Sequence, residues 1–222
     1  MKKNKLLIAL AISALTNVAI ANEEKIDYSL SIKSWNNVLN NATRTSNINT
    51  QSQNAPLVTF VARKGDYFVS ASALLKSVYT YKTAWLNRTD YDLALGYRAT
   101  DNISVLAGYK TLINTDGTQT NWKETNTGYF LGASGFKLIA DQTYVYGNFQ
   151  YVPSIKTKTT GTDYYRDMKF NSTEAGLGYV MNKSTQLTGG YRYQAMSNYN
   201  ITQSRSEKTA IRGLLFGLNI NF

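Results

Sequence analysis

The chain has 222 residues, with 24 Lys and Arg against 14 Asp and Glu, a formal net charge of +10, and neither Cys nor His. Without Cys there is no disulfide framework, thiolate metal site or Cys nucleophile, and without His there is no imidazole base, Ser-His-Asp triad or His-ligated zinc. The length suits one domain of ordinary size.

Lys2, Lys3 and Lys5 open the chain with positive charge. Leu6 to Leu15 is apolar except for Ser13, and Ala19-Ile20-Ala21 follows as an A-x-A cleavage site. This is the three-part pattern of a secretory signal peptide, and its apolar run is too short for a stop-transfer helix. The expected organisation is a signal peptide at 1–21, exported by the Sec pathway, and one mature domain at 22–222. Cleavage removes three lysines and no acid, so the mature domain stays cationic.

No later run reaches the roughly 18 uncharged apolar residues of a membrane helix. Period-two alternation recurs instead. Ile26, Tyr28, Leu30 and Ile32 alternate with Asp27, Ser29, Ser31 and Lys33. Tyr91, Leu93, Leu95 and Tyr97 alternate with Asp92, Ala94, Gly96 and Arg98. Ile103, Val105, Ala107 and Tyr109 alternate with Ser104, Leu106, Gly108 and Lys110. Successive side chains of a strand point to opposite faces, so each segment has an apolar face and a small or polar one. The pattern predicts strands at 25–35, 56–63, 67–75, 89–98, 103–112, 125–135, 142–152, 168–180, 185–193 and 208–222.

The connections alternate in length. Short ones are expected at 64–66, 99–102, 136–141 and 181–184, and long polar ones at 36–55, 76–88, 113–124, 153–167 and 194–207. Both prolines, Pro56 and Pro153, are expected at loop–strand junctions. Short turns at one end and long loops at the other are the pattern of a transmembrane barrel. The fold class expected is therefore all-β: an antiparallel up-and-down transmembrane β-barrel of about ten strands, with eight as the alternative. The apolar face would meet lipid, and the Gly, Ser, Asn and charged face would line the interior. A water-soluble, lipocalin-like periplasmic barrel is the inverse arrangement and stays open on alternation alone.

One hairpin repeats. Asp92-x-x-Leu95-Gly96-Tyr97 with Gly108-Tyr109-Lys110 matches Glu174-x-x-Leu177-Gly178-Tyr179 with Gly190-Tyr191-Arg192. Pairing the strands of each hairpin predicts Asp92 opposite Lys110 and Glu174 opposite Arg192, both turned inward beside glycines. Such pairs suit a structural plug of the lumen, or an ion-selective constriction.

The Ala19-Ile20-Ala21 signal end, the two hairpins and the terminal Leu214–Phe222 strand together resemble the small outer-membrane β-barrel proteins of Gram-negative bacteria, of the broad OmpA, OmpX and opacity-protein type. The resemblance implies the cell outer membrane as location, with lipid, periplasmic chaperones and the barrel-assembly machinery as partners. It also implies that Phe216, Leu218, Ile220 and Phe222 form the assembly signal that machinery reads. A monomer is expected. Outer-membrane enzymes of this size rely on His in nearly every case, so no enzyme is expected, and no residue spacing marks a cofactor or metal site. Export disfavours nucleic acid as the partner of so cationic a domain. The anions at an outer leaflet are lipopolysaccharide phosphates, with Arg88, Lys169, Lys208 and Arg212 as contact candidates. Function is thereby expected to be structural or surface-interacting, with a narrow, anion-preferring pore as the alternative. Replacing Phe222 with Ala should lower the yield of heat-modifiable barrel and raise degraded precursor on gels; wild-type yield would remove the assembly-signal reading.

Overall fold

Alternating segments joined by short turns pair most simply with their neighbours in sequence, and that is the topology found. The computed structural model describes residues 25–42, 47–81, 84–116, 122–160, 162–200 and 205–222. Its strands are β1 (Asp27–Ala42), β2 (Asn47–Asn49), β3 (Gln53–Lys64), β4 (Tyr67–Tyr81), β5 (Ala84–Thr100) and β6 (Ile103–Asp116). They continue as β7 (Lys123–Ala140), β8 (Thr143–Thr159), β9 (Thr162–Asn182), β10 (Thr185–Asn200) and β11 (Arg205–Asn221). All pairs are antiparallel between neighbours, and β11 pairs with β1 to close the barrel. The short β2 only flanks the outer end of β1, so the wall has ten strands and the eight-strand alternative falls. The expected signal peptide, residues 1–21, lies outside the described residues.

Closure is extensive. Fourteen register pairs join β1 to β11, from Ser29–Asn221 to Ala42–Lys208. At the lower end Phe222 N donates to Tyr28 O at 2.9 Å, and Tyr28 N to Phe222 O at 3.5 Å. A closed sheet leaves no unpaired edge, which is what a hydrocarbon solvent requires. The tight turn between β3 and β4 places Gly65 at a φ of 56°, a conformation that Gly adopts without a Cβ clash.

Toward the turn end, the outward rows are apolar. Leu95 and Leu131 are 65% and 66% exposed, and Ile103, Val105, Leu177, Leu187 and Phe216 are exposed beside them. Aromatic rings flank this band. Tyr67 packs against Tyr97 at 5.2 Å and Tyr28 against Phe60 at 5.9 Å near one border, while Tyr109 meets Tyr129 at 5.2 Å near the other. A water-soluble barrel would bury these rows, so the face assignment is that of a lipid-immersed wall.

The strands run 12 to 21 residues, well beyond the roughly 9–11 that cross a hydrocarbon layer. The excess lies at the loop end, where the alternation inverts. On β1, Tyr28 and Ile32 face out, but Trp35 and Leu39 are buried inside and Asn36 is exposed. On β9, Leu177 and Tyr179 face out, whereas Phe170 and Met168 face in and Lys169 is exposed. Lipid outside favours apolar-out; water outside favours apolar-in. On these strands the parity switch therefore marks the outer border of the bilayer.

This inversion corrects three expectations. The segments predicted as long loops at 76–88 and 153–167 are largely strand, because β4, β5, β8 and β9 continue past the bilayer border as a water-exposed barrel. Pro56 and Pro153 lie within strands: Pro56 precedes the first β3–β4 pair at Leu57, and Pro153 sits in the register shift between Val152 and Ile155. Residues 136–140, expected in a turn, extend β7.

Candidate functional site

The candidate site is the lumen, with the outward cations at the bilayer border. Inward rows from nine or more strands converge there, and the lumen is layered by chemistry. Ser29, Ser31, Thr59, Ser70, Asn219 and Gln186 line the turn end. Above them lie ionised groups, and the outer half combines apolar clusters with buried polar networks.

The register places Asp92 opposite Lys110 and Glu174 opposite Arg192, as the repeated hairpins predict. Lys110 Nζ donates to Asp92 Oδ1 at 2.5 Å and sits 4.9 Å from the centroid of the Phe170 ring, with Lys110 itself 0% exposed. Glu174 takes a different first partner. Lys33 Nζ lies 2.5 Å from Glu174 Oε1, whereas Arg192 Nη1 lies 3.7 Å from Oε2 and its guanidinium stacks 5.3 Å from the Trp35 ring. Lys33 also lies 5.2 Å from the Tyr146 ring.

A third ionic group was not anticipated. Arg88 donates from Nε to Asp90 Oδ1 at 2.7 Å and from Nη2 to Asp90 Oδ2 at 3.0 Å, a two-pronged pairing, and reaches Gln194 Oε1 at 3.4 Å. Arg88 is 3% exposed, so its expected role as an outward lipopolysaccharide contact is corrected: it faces the lumen and pairs with Asp90. The error has a local cause. Position 88 ends a segment whose composition reads as loop, whereas β5 continues through it and gives Arg88 and Asp90 the inward parity of Asp92. Lys33 has the inward parity of Ser29 and Ser31, a legible signal; its acid could not be named without knowing how β1 meets the C-terminal strands.

Two apolar clusters fill the outer half. One gathers Trp35, Leu39, Leu57, Leu74, Tyr79, Ile211 and Leu215; the other gathers Leu112, Phe130, Val152, Ile155, Met168, Phe170 and Met196. This corrects the expectation of an interior lined only by small and polar residues. Toward the loop end, Asn114 and Asn126 each donate to Glu124 Oε1 at 2.8 Å, and Thr157 donates to Asn126 Oδ1 at 2.6 Å. These buried ions cost several kcal/mol each in lost hydration, offset by short charge-assisted bonds. Among the described residues no cluster of three His, Cys, Asp or Glu could hold a metal ion.

Lys169, Lys208 and Arg212 are exposed on outward rows. Arg212 lies opposite Tyr193 on β10 and Val38 on β1, and Lys208 Nζ lies 5.6 Å from the Tyr193 ring. Phe216, Leu218, Ile220 and Phe222 occupy one outward row of the strand that closes the barrel.

The fold is that of a Gram-negative outer-membrane β-barrel. No family model matches the chain, and no curated protein matches it. Among solved structures it is similar to the outer membrane protease OmpT from Escherichia coli, with TM-score 0.55, 10% identity, and coverage of 91% of this chain and 98% of that one. Neisserial surface protein A is 12% identical with TM-score 0.40, covering 90% of this chain and 100% of that one. A Pseudomonas aeruginosa FadL homologue is 7% identical with TM-score 0.38, covering 89% and 90%. At these identities the likeness concerns fold alone.

The buried Asp92–Lys110 pair gives a direct test. Lys110→Met strands a buried carboxylate and should destabilise the folded barrel by about 3 kcal/mol, measured by urea unfolding in lipid vesicles. Adding Asp92→Leu should restore at least half of that loss. Equal losses in the single and double variants would show that the two groups do not act as a pair.

Proposed function

We propose that this chain is an integral protein of the Gram-negative outer membrane with a solute-tight barrel and a structural, surface-interacting role. In this reading the precursor is exported through the Sec pathway, and the row Phe216, Leu218, Ile220 and Phe222 is presented to the barrel-assembly machinery. The mature barrel presents its loop end to the outside and its outward cations to lipopolysaccharide phosphates.

One observation carries the solute-tight reading: the cross-section is occupied by side chains. Trp35, Lys110, Leu112, Phe130, Ile155 and Phe170 are all essentially without solvent exposure. Each charged group in that layer faces an opposite charge at close range, so no ring of like charge is left to select an ion. The apolar clusters on the outer side would have to be wetted before a hydrated ion could pass, which disfavours conduction.

Charge segregation supports the lipopolysaccharide contact. On the outer half of the wall, Asp90, Asp92, Glu124 and Glu174 face inward. Lys76, Lys123, Lys156, Lys158, Lys169, Lys208 and Arg212 are exposed. Asp167 stands opposite Lys156 in the register. Basic residues at a membrane surface attract anionic headgroups by about 1 kcal/mol each. The absence of His throughout the chain favours a non-enzymatic role.

Planar-bilayer recording tests the proposal. The purified barrel should insert without producing conductance steps in chloride or phosphate salts. Reproducible ohmic steps from the wild-type protein would overturn the solute-tight reading in favour of a pore.

A further inference from the structure

The outward cations are not evenly set. On the wall formed by β10, β11 and β1, a groove of about 310 Å³ opens beside Arg212, lined by Asn36, Asn40, Asn49, Tyr191 and Leu214 among others. Its height matters. Leu214 belongs to the apolar band that continues into Phe216 and Leu218; Asn36 stands opposite it on β1, and Arg212 is the next outward position beyond it on β11. The groove therefore straddles the bilayer border, where a lipid headgroup begins.

Its chemistry is specific. None of the lining residues is acidic. Arg212 has no ion-pair partner among the described residues, although it is flanked by Tyr193 and Val38 in register. Lys208 lies on the same outward row, above Tyr193. The carboxamides form a held array: Asn40 Nδ2 donates to Asn49 Oδ1 at 2.5 Å, Asn36 Nδ2 donates to Asn54 Oδ1 at 3.0 Å, and Ser52 Oγ donates to Asn36 Oδ1 at 2.9 Å. Asn40 Oδ1 is buried and accepts from no donor among the described residues. A lone basic belt would suit any anion. Fixed amide donors and acceptors beside an aromatic ring and a free guanidinium suit a phosphorylated sugar.

We propose that this groove binds the phosphorylated sugar headgroup of an outer-leaflet glycolipid. Arg212 takes the phosphate in a two-pronged contact, Asn36, Asn40 and Asn49 take sugar hydroxyls, and the ring of Tyr191 supports the sugar face. The acyl chains run down over Leu214 and Phe216. The inference rests on the lipopolysaccharide contact proposed above and narrows it to one wall of the barrel. A glycerophospholipid supplies a phosphate but no sugar, and would leave the amide array without a role.

The test uses the mature barrel in phosphatidylcholine nanodiscs doped with diphosphoryl lipid A, dephosphorylated lipid A or phosphatidylglycerol, with bound lipid counted by native mass spectrometry. Heat-modifiable migration confirms that each variant is folded. Arg212→Gln should lower retention of diphosphoryl lipid A by about tenfold, the scale of one charge-assisted contact. Arg212→Lys, which keeps the charge, should retain more than Arg212→Gln. Lys123→Gln, on the β7 wall, should lower retention by no more than about fivefold, the share of one cation in the diffuse contact. Asn40→Ala should lower retention of both forms of lipid A, and phosphatidylglycerol should be held weakly throughout. Equal losses for Arg212→Gln and Lys123→Gln would overturn the groove while leaving a diffuse lipopolysaccharide contact. Unchanged retention in every cation variant would overturn both. Phosphatidylglycerol held as tightly as lipid A would overturn the sugar-reading role.

Discussion

A sheet immersed in hydrocarbon has no water to satisfy its edge, so every N–H and C=O must find a strand partner. The pairing of β1 with β11 meets that demand, and most other features depend on it. Closure forces one row of each strand to face the axis and the next to face the surroundings. It brings Lys33 on β1 against Glu174 on β9. It also brings Trp35 beneath Arg192 on β10. Unzipping β1 from β11 would expose two strand edges to lipid and separate these partners at the same time.

The rows then respond to whichever solvent lies outside. Along the lower strands, Leu95, Leu131, Leu177 and Phe216 face lipid, and the lumen holds hydroxyls, amides and ions. Along the upper strands, the outside is aqueous, so asparagines and lysines face out and an apolar core forms within. One barrel thus contains two opposite amphipathic patterns in series. The ionic layer lies where they meet: Asp92 with Lys110, Glu174 with Lys33, and Arg88 with Asp90 are each in or beside the transition. An apolar core is thus stacked on paired charges along the axis.

Much of this was written in the alternation. The outward rows of β5, β6 and β11 follow from Tyr91-to-Tyr97, Ile103-to-Tyr109 and Leu214-to-Phe222, and the repeated hairpins set the registers of Asp92 and Glu174. The strand ends were less legible for a physical reason. A period-two pattern looks broken where its apolar residues change parity, although the backbone ladder continues. At Trp35, Leu112 and Met168 the change of solvent, rather than the end of a strand, interrupts the pattern. Arg88 was misplaced on that account. Lys33 acquires its partner Glu174 only from the ring closure, a contact between distant parts of the chain that no local pattern encodes.

Site-directed spin labels at Leu131 and Ser70, with collision rates to lipid-soluble oxygen and a water-soluble nickel chelate, measure the two faces most directly. A label at Leu131 should collide strongly with oxygen and weakly with the chelate, and a label at Ser70 should show the lower oxygen collision of a lumen position. Chelate collisions at Leu131 typical of bulk water, with higher oxygen collision at Ser70, would contradict the assignment of the apolar rows to lipid.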